Sequence, residues 1–197
     1  GLDKQTIKIN VTIPNVRLWY PWDIGKPNRY QATVKLFSKE SDLWDEFKIK
    51  FGVREVKLEW NPGFSKEEVK HPWVFIINGK RTFIRSASWG GPPSIFYGRI
   101  KRGDYLELIK LARGANLNNL RIFGWHPTEI EQFYDICDSL GITVWQDLLP
   151  IASVYMPEDE QFLKETLQEA EACLKEIRNH PSLIMLEGGE ETFYGIY

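Results

Sequence analysis

The chain has 197 residues, a formal net charge of -2 and an apolar share of 43%. That length accommodates one large or two small domains, and the apolar share is ample for packed cores. A charge this close to balance points away from nucleic acid and anionic membrane surfaces, and no apolar run approaches the roughly 20 residues that span a bilayer, so neither partner is expected.

Residues 1–60 read as β structure. Ile7 to Ile13 alternates apolar and polar and is closed by Pro14-Asn15. Trp19 to Asn28 is crowded with turn formers. Tyr30 to Leu36 alternates again, and Leu43 to Phe51 and Val53 to Glu59 are further strand candidates. Short strands at this spacing predict part of an antiparallel β-sandwich. Residues 61–73, opening with Asn61-Pro62-Gly63, are expected to link it to a second domain over 74–197.

That second region alternates strands with helices. Val74 to Ile77 and Thr82 to Ile84 flank Asn78-Gly79, a strong hairpin turn. Strand-like Ile84 to Trp89 precedes a helix from Arg102 to Arg113. Strand Leu120 to Phe123 precedes a helix that Thr128 is expected to cap. Strand Ile142 to Trp145 precedes a long amphipathic helix from Pro157 to Arg178, whose acidic start, Glu158-Asp159-Glu160, complements the helix dipole. Proline then halts the helix at Asn179-His180-Pro181, and the apolar run Leu183 to Leu186 forms a fourth strand. It ends in glycines and paired carboxylates, Glu190 and Glu191.

Strand–helix alternation demands a parallel sheet with right-handed crossovers. No Gly-x-Gly-x-x-Gly follows the first strand, so a dinucleotide fold is unsupported. A closed barrel needs about 250 residues; four βα units are what this region holds, about half a barrel. The β region is also short of the about 100 residues of a full sandwich, so the chain is expected to be a fragment. The expected class is multidomain β plus α/β: a partial β-sandwich, then a half (β/α)8 barrel. In a parallel barrel the ligand sits at the C-terminal ends of the strands, where a shielded carboxylate gains a raised pKa and can act as a general acid.

Cys137 and Cys173 fall on apolar helix faces and are expected as buried thiols. Histidines at 71, 126 and 180 are too scattered for a ligand set, so neither metal nor cofactor is expected. The eight tryptophans exceed ordinary usage. Each reads either as packing or as a platform for the C–H face of a sugar ring.

The ordered motifs resemble glycoside hydrolase family 2, in its β-mannosidase-like branch. They are Leu18-Trp19-Tyr20-Pro21 with Gly25 and Tyr30, Phe51-Gly52-Val53-Arg54, Ile77-Asn78-Gly79-Lys80 with Ser88-Trp89, and Asn116 to Ile122. Phe133-Tyr134-Asp135 with Asp138 to Ile142, Val144-Trp145-Gln146-Asp147 and Asn179-His180-Pro181-Ser182 complete the set, and Trp-Gln-Asp points to the branch. The resemblance identifies the partial β-sandwich as immunoglobulin-like and implies retaining hydrolysis of terminal β-linked sugars by two carboxylates about 5–5.5 Å apart. It assigns the proton donor to Glu191 and the nucleophile to a strand beyond Tyr197. The isolated chain is therefore expected to be inactive. The sequence departs from the family at Leu186, Glu187 and Glu190, where the family carries Trp, a small residue and Asn.

Substrate contacts are expected from six further residues. Glu190 is either a sugar contact or a surface charge. Arg121 is either directed at the nucleophile or held in a structural ion pair. Trp89 either walls the site or packs in the core. His126 lies one residue out of register with a histidine that other branches of the family carry near this point. Trp145 and Asp147 flank the third strand's end, where Asp147 either binds a hydroxyl or caps a turn. The expected partner is a carbohydrate, with self-association through cut sheet edges. The alternative is a non-catalytic carbohydrate-binding or scaffolding protein, favoured by the Asn-to-Glu change at Glu190.

Overall fold

A computed structural model describes residues 6–65, 67–69, 73–90, 101–149, 152, 156–157 and 159–191. Residues 66 and 70–72 of the expected linker, and Glu158 of the acidic run, lie outside the described residues.

The class is mixed β and α/β, as the sequence predicts. Strands β1 (Tyr30–Phe37) and β2 (Leu43–Phe51) form an antiparallel pair. Strands β3 (Val56–Trp60), β4 (Trp73–Ile77) and β5 (Lys80–Thr82) form an antiparallel sheet in that order. The turn between β4 and β5 has Asn78 at φ 49 and Gly79 at φ 75, the two left-handed positions that a two-residue hairpin requires. The strand expected over residues 7–13 does not form: the segment is almost wholly exposed and pairs with none of the described strands, which leaves its backbone bonds to solvent. Strand β3 begins three residues later than Val53, because Val53 spends its carbonyl on the Trp19 N–H at 2.8 Å.

Four parallel strands follow in sequential order: β6 (Ser86–Trp89), β7 (Asn119–Ile122), β8 (Thr143–Asp147) and β9 (Leu183–Glu187). Between them run α1 (Arg102–Gly114), α2 (Glu131–Leu140) and α3 (Glu160–Ile177). Thr128 does not cap α2. Ile130 holds that position without a side-chain bond, three residues beyond Pro127. Gly141, at φ 70, ends α2 in the left-handed conformation typical of helix C-termini. Asp159 caps α3 through its carboxylate, which accepts the Phe162 N–H at 2.7 Å.

The helices cover one face of the parallel sheet. Trp89, Leu120, Ile122 and Val144 point into them and meet Tyr105, Ile109, Phe133 and Cys137 in one buried cluster. Cys173 is only half-buried, and both cysteines are free thiols. The opposite face is polar and internally bonded. Ser86 Oγ donates to Asn119 Oδ1 at 2.6 Å, and Asn119 Nδ2 donates to Thr143 Oγ1 at 2.9 Å.

The antiparallel part is sewn to the parallel part by tryptophans and an arginine. Trp19, wholly buried, donates its indole N–H to the Asp138 carbonyl at 2.9 Å, and Trp22 donates to the Leu117 carbonyl at 2.9 Å. Arg54 donates to the carbonyls of Pro181, at 2.8 Å, and Leu183. Gly52 sits in this seam, where an added Cβ would lie 2.7 Å from Pro181 Cβ and 2.9 Å from Trp19 Cβ. Neither neighbour can yield, one being a closed ring and the other buried. Gly52→Ala is therefore expected to destabilise the fold by about 1–3 kcal/mol through overpacking, read as a lowered urea midpoint with unchanged slope.

Candidate active site

The C-terminal ends of the parallel strands collect charge. Alternation along β7 sends Leu120 and Ile122 into the helices and Arg121 to the other face. There Arg121 forks onto Asp147 at the end of β8, Nε to Oδ1 at 3.3 Å and Nη2 to Oδ2 at 3.0 Å. Nη2 also reaches Glu187 Oε2, at the end of β9, at 3.2 Å. Trp145 donates its indole N–H to the same Glu187 oxygen at 3.1 Å, and its ring lies 5.3 Å from the Arg121 guanidinium carbon.

The Asp147 side chain is fully buried, at 0% exposure. A buried carboxylate needs a partner, and Arg121 supplies it in the bidentate geometry that arginine favours. Burial works against the Arg121 charge, but its hydrogen bond to Asp147 and the charges of Asp147, Glu187 and Glu190 outweigh it and hold its pKa above the ordinary value. Burial, then the Asp147 charge, pushes the Glu187 carboxyl up, against the pull of Arg121 and the Trp145 N–H.

Glu190 follows β9. Its backbone bridges in parallel to Ala152, and its Oε2 accepts the Gly124 N–H at 3.1 Å. Glu191 comes next, exposed and with a left-handed backbone at φ 52. It stands four residues beyond Glu187, at the C-terminal end of a parallel strand.

Two expected site residues lie elsewhere. Trp89 faces the helices, with its ring centroid 5.0 Å from that of Phe133, and donates its indole N–H to Glu129 Oε1 at 2.8 Å. His126 is buried, with Nε2 3.3 Å from the same Glu129 oxygen. The structure thus gathers Arg121, Trp145 and Asp147 around Glu187 at one rim, with the Glu190 charge acting on Arg121 and Glu191 next in sequence, and turns Trp89 and His126 toward a second carboxylate. Sequence reasoning missed Glu187 as a member of the rim; its one signal is an acid closing an otherwise apolar strand. It missed Glu129 entirely, since one more acid before a helix carries no mark. Among the described residues, no group of three or more His, Cys, Asp or Glu side chains could hold a metal ion, and no helix is long and apolar enough to cross a membrane.

Comparison with known proteins follows the same lines. The family model described as "Glycosyl hydrolases family 2" matches residues 1–54. The chain is 30% identical to the β-mannosidase of Capra hircus over 192 residues, covering 96% of this chain and 21% of that protein. It is 30% identical to β-mannosidase B of Thermothelomyces thermophilus over 190 residues, covering 94% and 21%. The crystal structure of the β-D-mannosidase from Dictyoglomus thermophilum superposes with a TM-score of 0.81 at 37% identity, covering 91% of this chain and 22% of that one. The chain spans about a fifth of the length of the curated relatives it matches.

The raised pKa of Glu187 fixes the sign of a pH effect. The folded chain binds that proton more tightly than the unfolded chain does. Its contribution to stability is present below the ordinary value of 4.5 and is lost as pH rises through the higher folded value. Glu187→Gln, uncharged throughout, is expected to gain stability relative to the unsubstituted chain as pH rises from 4 to 7, measured by urea unfolding across that range.

Proposed function

The chain is β-mannosidase-like, of glycoside hydrolase family 2, and from that premise we propose that it is part of a retaining exo-β-glycosidase whose general acid and base is Glu191. The observation that carries the reading is the place of Glu191: at the C-terminal end of a parallel strand, beside a rim built from Arg121, Trp145, Asp147 and Glu190. Active sites of (β/α)8 barrels occupy that end. On this reading residues 1–60 are the closing part of an immunoglobulin-like sandwich, 61–73 the linker, and 74–197 the first half of the catalytic barrel.

In the proposed reaction Glu191, protonated, gives its proton to the glycosidic oxygen as the bond to the leaving group breaks. A second carboxylate, from a strand outside this half of the barrel, attacks the anomeric carbon. Glu191 then takes a proton from the water that releases the sugar. Arg121 supports the site from beneath, with Asp147 and Glu187 fixing its guanidinium. The exposed parts of Trp145 and Glu190 are offered to the sugar. One observation favours a second reading, a non-catalytic carbohydrate-binding or scaffolding protein. Glu190 stands where the family carries Asn, and its carboxylate is bonded as an acceptor to the Gly124 N–H.

The two readings part on Glu191→Gln in the parent protein. As an enzyme it is expected to lose about 10²–10⁴-fold in kcat on an aryl β-mannoside with a poor leaving group, while sugar binding by calorimetry persists. Unchanged turnover overturns the acid assignment; binding without any turnover in the unsubstituted parent favours the binder. The isolated chain, with one of the two carboxylates, is expected to give no turnover of a chromogenic β-mannoside.

Self-association through sheet edges is part of the same proposal. Among the described strands, β6 pairs only with β7 and β9 only with β8, and Leu186 on β9 is exposed. Unpaired edges template further pairing. Light scattering is expected to show a mass that rises with concentration, and a constant monomer mass overturns this.

A further inference from the structure

The loop between β7 and α2 holds a carboxylate that the proposed reaction does not use. The Glu129 side chain is 5% exposed. Its Oε1 accepts the Trp89 indole N–H at 2.8 Å and lies 3.3 Å from His126 Nε2, and its Oε2 accepts the Tyr105 hydroxyl. Those partners come from the end of β6, from the loop itself and from α1. A buried carboxylate that accepts from both Trp89 and Tyr105 is costly to disturb, because each donor left without it is stranded away from water. Glu129 therefore fixes the loop against two independent elements.

The same loop bonds to the end of β9. The His126 N–H donates to the Phe123 carbonyl at 2.8 Å and closes a tight turn around Gly124 and Trp125. The Gly124 N–H, pointed outward from that turn, donates to Glu190 Oε2 at 3.1 Å. Glu190 is adjacent in sequence to Glu191. Resting on the assignment of Glu191 as proton donor, we propose that Glu129 is a positioning residue for the Glu190–Glu191 pair, acting through the turn at residues 123–126 and the Gly124 N–H. The path runs from the Glu129 carboxylate across its 3.3 Å contact with His126, through the turn to Gly124, and from there by the amide hydrogen bond to Glu190. This gives His126 a place in the site without contact with sugar.

A structural role alone would leave the far end of that path unmoved, so the test reads Gly124 directly. In the 197-residue chain labelled with 15N-glycine and 15N-tryptophan, Glu190→Gln identifies the Gly124 amide by its upfield shift on losing a carboxylate acceptor. Glu129→Gln is expected to move the Trp89 indole resonance and to shift the Gly124 amide toward its Glu190→Gln position. Tyr105→Phe, which removes a single hydroxyl, is expected to do the same by a smaller amount and serves where Glu129→Gln does not fold. A Trp89 indole that moves while the Gly124 amide stays fixed overturns the proposal. In the parent protein, Glu129→Gln is expected to lower kcat by about 10- to 100-fold, the cost of a misplacement near 1 Å. KM is expected to stay within about threefold, and Glu129→Asp to restore part of the rate. A KM change with kcat intact overturns it as well. The amide experiment needs no turnover, so a failure of the Glu191 assignment appears in Glu191→Gln kinetics alone and is distinguishable from a failure of the coupling.

Discussion

The end of the parallel sheet depends on one buried carboxylate remote from it, that of Asp138 on α2. Its Oδ1 accepts the Ser182 N–H at 3.0 Å, its Oδ2 meets His180 Nδ1 at 2.8 Å, and its backbone carbonyl accepts the Trp19 indole at 2.9 Å. Ser182 and His180 form the turn that delivers the chain into β9, so Asp138 sets where that strand begins. The turn is held from the opposite side by Arg54, which bonds the carbonyls of Pro181 and Leu183, and by Gly52, whose missing Cβ lets Pro181 close against Trp19. A charge this deep is destabilising alone and tolerable only when fully bonded. Asp138 has the His180 ring and a backbone donor as partners, and the cost of losing either keeps β9 in one place.

At the far end of β9 the magnitudes assign the role of Arg121. Its bond to Glu187 joins two partly exposed groups, a class worth about 0–1 kcal/mol. Its bond to Asp147 satisfies a carboxylate with no access to water, and a lone buried charge costs several kcal/mol. The Asp147 pair therefore wins, and Arg121 is oriented by β8 rather than by β9. Glu187 is the guest of an arginine already committed, which is consistent with its raised pKa.

The parallel units were legible because short strand segments, bounded by turn formers, alternate with longer helical runs of period 3.6. Long elements of one period survive local error. What failed were features that periodicity does not encode. Residues 7–13 alternate like a strand, yet alternation supplies no partner for the backbone. Thr128 has the chemistry of a cap, but α2 begins after it, at Glu131. Trp89 closes its strand as expected, while its face follows from pairing with Ile122, which places it among the helices. Glu129 was invisible because burial of an acid is decided here by two donors far from it in sequence, Trp89 and Tyr105.

Glu187 shows most plainly why a strand's outline does not give its faces. Leu183 packs in the helix-side core, and four residues of uninterrupted alternation would put Glu187 on that same side, against apolar packing and without a cation. The pairing is irregular: Val144 stands opposite Leu183 and the next residue, Trp145, opposite Met185. Ile184 is thus the extra residue of a bulge, and the alternation inverts there. Met185 takes the face of Trp145, and Glu187, opposite Asp147, reaches Arg121 and the Trp145 N–H. One inserted residue carries the acid from a core that would reject it to a rim that can bind it, and it sets the direction from which the chain continues to Glu190 and Glu191. The rim is consequently a property of the register between β8 and β9, which the turn at His180–Ser182 fixes from the other end.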